Sequence, residues 1–213
     1  MTKSMVSWAI GGLVVGLVIG YFFTGSSKSP FQKNNNEVSD AVSKSAHPNT
    51  ISPQTDEDKI KSAVAAAPEV ISKEATILDW PAKENEQPRL IRKGTNTWTC
   101  LPDYPASPGN DPLCGDEMTM QWFGAYMAKK TPSISQNGIG YMLQGGSSPS
   151  NTDPFATEPK PGDSWMVEPP HIMVFPSSKL DTKVYGTDHM SGMPWIMYAN
   201  TPYAHLMIPV QSK

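Results

Sequence analysis

A chain of 213 residues has room for one ordinary domain of roughly 100 to 150 residues and for additional segments around it. Seventeen basic against twenty acidic residues leave a formal charge of minus three. Neither sign gathers into a block outside the segment 25–55, so the charge pattern does not suggest a phosphate-tracking surface, and nucleic acid is not expected as a partner.

Met5 to Phe23 is a nineteen-residue run without a charge, and a helix of that length rises roughly 28 Å, the thickness of a bilayer core. Residues 1–24 are therefore expected to form a transmembrane signal anchor with the membrane as its partner. A cleavable signal peptide is the rival, since Lys3 supplies a basic start and Thr24, Gly25 and Ser26 supply small residues for cleavage. The apolar run exceeds the ~7 to 15 residues of such a core, and Tyr21, Phe22 and Phe23 have the chemistry of an interfacial aromatic belt. Gly12, Gly16 and Gly20 share one helix face and would let a second helix, from another membrane or periplasmic protein or a second copy, approach closely. Glycine is also simply common in membrane helices.

Residues 25–74 are expected to form a flexible linker, poor in bulky apolar side chains as far as Thr55, with His47 as a solvated side chain. A short amphipathic helix is expected at 56–67, where Ile60, Ala63, Val64 and Ala67 recur at helical spacing before Pro68. The globular, extracytoplasmic domain is expected over 75–213. Proline makes up 21 of the 213 residues, about twice its usual ~5%, and recurs singly there, which predicts short elements joined by rigid turns.

One clear helix is expected from Asp116 to Lys130, opened by acids, closed by Lys129, Lys130 and Pro132, with Met118, Trp122, Phe123, Tyr126 and Met127 as its core stripe. Strand-like runs follow the pattern of short, β-branched and aromatic segments: Arg89–Arg92, Thr95–Thr99, Gly138–Gln144, Trp165–Val167, His171–Phe175, Trp195–Ala199 and His205–Val210. The fold class is α+β with a mainly antiparallel sheet. Gly145 to Pro154 is expected to be a polar structural loop, since it contains neither a Gly-x-Ser-x-Gly elbow nor the alternating acids of a calcium loop.

Cys100 and Cys114 bracket a proline-rich stretch. A disulfide closing this 15-residue loop would stabilise the fold by roughly 3 kcal/mol, and an oxidising compartment follows from it, so the domain is placed in the periplasm or extracellular space. Two independent buried thiols, or half of a metal site short of two ligands, are the other readings.

Twelve methionines are present, and eight of them fall between Met127 and Met207 together with three histidines. His171 with Met173, and His205 with Met207, are spaced i and i+2, so each pair shares one face of a strand. His189 is followed directly by Met190. If the two strands were neighbours, His171, Met173, His205 and Met207 would converge as four soft or borderline ligands suited to copper(I), with Ile172, Val174, Leu206 and Ile208 turned toward the core; His189 and Met190 complete the candidate metal residues. The pattern His189-Met190 followed by His205-x-Met207 resembles that of periplasmic copper chaperones, with a shorter spacer, so Met193 or Met197 would have to supply the intervening ligand. In the plainer reading, methionines fill gaps in a proline-broken core and each histidine donates to a carbonyl, and no cofactor is required.

The run Trp98 to Cys114, with Gly140 to Gly146 and Asn151 to Phe155, resembles uncharacterised exported proteins of bacteria over most of residues 94–210. That resemblance implies export and a bacterial source without implying an activity. The expected function is thus a membrane-anchored, non-catalytic binding or interaction module of the cell envelope. Copper(I) handling is the alternative, and a hydrolase-like site without a recognisable motif is a further one.

Overall fold

Thr55 opens the first helix by local chemistry. Its hydroxyl accepts from the Asp58 N–H, the Asp58 carboxylate accepts from the Thr55 N–H, and three acids in the first turn complement the helix dipole. The computed structural model describes residues 55–83 and 86–210. The expected anchor at 1–24, with Gly12, Gly16 and Gly20, and the linker up to residue 54 lie outside the described residues. Among those that are described, no helix is long and apolar enough to cross a membrane.

Helices α1 (Asp56–Val64) and α2 (Glu69–Ser72) precede strands β1 (Thr76–Leu78), β2 (Leu90–Arg92), β3 (Thr99–Leu101) and β4 (Leu113–Gly115). Helix α3 (Glu117–Met127) leads into β5 (Gly138–Met142), β6 (Gly146–Ser148), β7 (Met166–Glu168), β8 (His171–Phe175), β9 (Trp195–Met197) and β10 (His205–Pro209). Eight strands form one sheet in the order β2-β1-β3-β4-β5-β8-β10-β9, while β6 and β7 pair separately. Every pair is antiparallel except β1 with β3.

Alternation along β3 and β4 gives the sheet a core on each face. Leu101 and Leu113 point to one side and join Trp122 of α3, Met173, Phe175, Trp195 and Met207. Cys100 and Cys114, directly opposite one another across the ladder and joined as a disulfide, point to the other side with Ile77, Ala63, Ala66, Ala67 and Ala75. The small alanines let the α1 segment lie close against this second face, where Ala63 and Ala66 are fully buried. Leu143 N–H donates to the Ala66 carbonyl at 2.9 Å, tying the end of this segment to the sheet.

The expected linker at 25–74 is therefore corrected at its end: residues from Thr55 onward belong to the domain. Composition misleads here because alanine buries little area per residue, yet it is what a close helix-to-sheet approach requires. The domain boundary expected at residue 75 moves to Thr55 for the same reason.

Helix α3 is held at its start by Asp116, whose carboxylate accepts from Thr119 N–H at 2.8 Å and from Ile139 N–H of β5 at 2.9 Å. Trp122 is buried and Phe123 and Tyr126 pack against the core as expected, joined by Thr119 and Met120, whereas Met127 at the end of the stripe is 45% exposed. Gly138 and Gly140 make the close approach to β5: a Cβ on Gly138 would stand 2.6 Å from Thr119 N. Strand β4 and strand β6, three residues each and flanked by Pro or Gly, carry no periodic signal of their own. Strand β6 replaces part of the loop expected at 145–154, and β3 lies at Thr99–Leu101 rather than Thr95–Thr99.

Candidate functional site

Strands β8 and β10 are neighbours, with Met173 across from Met207 and His171 across from Pro209. The residues His171, Met173, His205 and Met207 do share one face, and it is the core face under α3. This corrects the expected orientation, since Ile172, Val174 and Ile208 are the half-exposed side chains of these strands. The reason lies in the second layer: Trp122 of α3 packs 4.5 Å from the Phe175 ring, 5.3 Å from the His205 ring, and so selects the alternate positions as core.

Each buried imidazole is fixed through its own strand entry. Nδ1 of His171 donates to the Pro169 carbonyl at 2.7 Å, and Nδ1 of His205 donates to the Tyr203 carbonyl at 3.0 Å. His205 is stacked against Phe175 with ring centres 5.1 Å apart. Burial lowers both imidazoles to a pKa of about 4, against the opposing effect of the carbonyl bonds, so both are neutral at ordinary pH.

His205 stands opposite Phe175, four residues along β8 from His171, so the two backbone positions are roughly 13 Å apart at ~3.3 Å per residue. The thioethers lie between them in the apolar cluster, and the Met173 methyl occupies the space above Gly140. Among the described residues no group of three or more His, Cys, Asp or Glu side chains is placed to hold a metal ion. His189 and Met190 are elsewhere, in the segment joining β8 to β9, where Met190 is 78% exposed.

Around His171 the structure gathers two acids that no sequence spacing marks. Glu168, on β7, places Oε2 4.0 Å from Nε2 of His171, with both residues buried. Asp111, from the disulfide loop, is 6% exposed, and its N–H donates to the Asp103 carboxylate at 2.7 Å. A Cβ on Gly146, the β6 partner of Glu168, would lie 3.2 Å from Glu168 Oε2 and 3.5 Å from Asp111 Oδ1, so glycine is what leaves room between the two carboxyls.

Asp111 Oδ1, Glu168 Oε1 and His171 Nε2 are all buried without a protein partner. Burial raises Glu168, and burial together with the neighbouring Asp103 and Glu168 raises Asp111 to about 6. With Nδ1–H committed to a carbonyl, Nε2 of His171 is a proton acceptor facing a carboxyl group that favours its protonated form. Chemically this is a small acid-base group sealed from solvent. Its members come from the disulfide loop, β7 and the start of β8, which only the tertiary fold brings together.

No family model matches the chain, and no curated protein or solved structure is similar to it.

Proposed function

We propose that the chain is a membrane-anchored module of the bacterial cell envelope, displayed in the periplasm or extracellular space, which acts by binding another envelope protein rather than by catalysis. The observation that carries the reading is the outer face of β5, β8 and β10. Ile139 lies across from Val174 and Val174 across from Leu206, and in the next row Tyr141 lies across from Ile172 and Ile172 across from Ile208. Antiparallel strands with one solvated face alternate apolar and polar side chains. Strands β8 and β10 are apolar on both faces, as strands covered on both sides are.

Among the described residues, α1 packs on that same side against β2, β3 and β4, and its cluster reaches β5 at Tyr141. Ile139, Ile172, Val174 and Ile208 remain half-exposed, an ordered apolar patch of the kind that marks protein contacts. Compartment is supported by the Cys100–Cys114 disulfide and the apolar run Met5–Phe23.

Two measurements test this. Val174→Lys or Ile172→Lys should abolish co-purification of a stoichiometric envelope protein from detergent extracts, while the melting temperature stays within a few degrees of the parent. A reporter enzyme active only outside the cytoplasm, fused behind Lys213, should be active. An inactive reporter overturns the compartment, and retention of every co-purifying protein by both lysine variants overturns the binding face.

A further inference from the structure

The segment between β8 and β9, from Pro176 to Pro194, has no helix or strand, yet its second half is tightly held. At its base Ile196 N–H donates to the Gly186 carbonyl and Asn151 Nδ2 donates to the Thr187 carbonyl, both at 2.8 Å. Asp188 then organises a turn, its carboxylate accepting from Met190 N–H at 2.9 Å and its carbonyl from the Ser191 hydroxyl at 2.7 Å. Ser191 Oγ accepts from Met193 N–H at 3.2 Å, and Gly192 takes a positive φ of 72°, which reverses the chain.

This held turn carries His189, Met190 and Met193. Met190 is 78% and Met193 66% exposed, against 5% and 1% for Met173 and Met207. A methionine left in water forgoes roughly 1.5–3 kcal/mol of burial, so these two do not serve as core filler. His189, next to Met190 in the chain, is half-buried and within electrostatic range of Glu168.

We propose that this turn is a binding site for one soft monovalent cation, copper(I) in the cell, held by the Met190 and Met193 thioethers and the His189 imidazole. Thioether and imidazole donors favour such ions over magnesium, calcium or manganese. Flexible methionines lose rotamer freedom on binding, but the backbone that carries them is already ordered by Asp188 and Ser191, which lowers the entropic cost. The Asp188 carboxylate adds negative charge next to the site. The six His and Met residues marked by the sequence thus divide: four build the core, and the remaining pair, joined by Met193, is the accessible ligand set. This site is independent of the apolar binding face.

Silver(I), a redox-inert soft cation, is the probe. Titrated into the full chain in detergent micelles, it should bind with one equivalent and shift the methyl resonances of Met190 and Met193 while leaving Met173 and Met207 unmoved. Met190→Leu combined with Met193→Leu should weaken binding by about tenfold or more with the melting temperature unchanged, since both thioethers lie at the surface; His189→Ala should weaken it likewise, with some loss of stability because the imidazole is half-buried. Shifts confined to Met1, Met5 or the buried methionines, a leucine double variant that binds as tightly as the parent, or the lack of saturable binding would each overturn the site.

Discussion

Nε2 of His171 faces Oε2 of Glu168 at 4.0 Å inside the domain, with the imidazole fully buried. Neither residue has a Lys or Arg partner among the ion pairs of the described residues. A buried acid and a buried base of this kind are stable together as neutral groups, because desolvation penalises the charged form of each.

The pH dependence of stability follows with a definite sign. His171 and His205 have folded pKa values of about 4, below the usual 6.5, chiefly through burial. Their contribution is fully present above pH 6.5 and is lost as pH falls through 4, because the unfolded chain takes up the protons first. Asp111, raised to about 6 by burial, acts oppositely: its contribution is complete below its ordinary 3.8 and is lost as pH rises through 6. Urea unfolding between pH 7 and 4 should show stability declining by up to ~1.4 kcal/mol per pH unit for each imidazole. His205→Phe, which keeps a ring against Phe175, should flatten that limb, whereas Asp111→Asn should remove the opposing contribution. An identical acid limb in parent and His205→Phe would show that this imidazole is not buried neutral.

Reduction of the Cys100–Cys114 disulfide should lower stability by roughly 3 kcal/mol, read as the shift in urea midpoint with and without reductant. The effect should be the same in a Cys100→Ala and Cys114→Ala double variant, apart from the small cavity that change leaves. A midpoint that ignores reductant would indicate thiols that never joined.

Asp116 is a cap and a tie at once, bonded to Thr119 in α3 and to Ile139 in β5. Asp116→Ala should cost about 2 kcal/mol or slightly more, above an ordinary cap loss of ~1, because a second backbone donor at the helix–sheet junction loses its partner. Thermal unfolding monitored by Trp122 fluorescence measures it, and a loss no greater than ~1 kcal/mol would mean the Ile139 bond contributes nothing.

A chain beginning at residue 75 should fail to protect the amides of β3 and β4 from hydrogen exchange, because Ile77, Cys100 and Cys114 would lose the cover of Ala63, Ala66 and Ala67. A chain beginning at Thr55 should protect them. Equal protection in the two would return α1 to the tether.

Patterns local to the chain were legible in the residues themselves. Asp116 before an apolar period of 3.6 announces α3, short runs rich in β-branched, aromatic and other apolar residues announce β5, β8 and β10, and the Cys100–Cys114 bracket announces a covalent loop; each expresses near-neighbour chemistry that a linear reading can count. What the residues could not disclose is which side of a strand faces inward when both sides are apolar. His171, Met173 and Phe175 alternate with Ile172 and Val174, and either set makes a plausible core; the choice was made by Trp122, which arrives from α3 some fifty positions earlier in the chain. The gathering of Asp111, Glu168 and His171, and the packing of Ala63 and Ala66 over the disulfide, depend likewise on contacts between distant segments. Periodicity specifies how side chains are distributed around an element, but the direction that is buried is set by whatever packs against it.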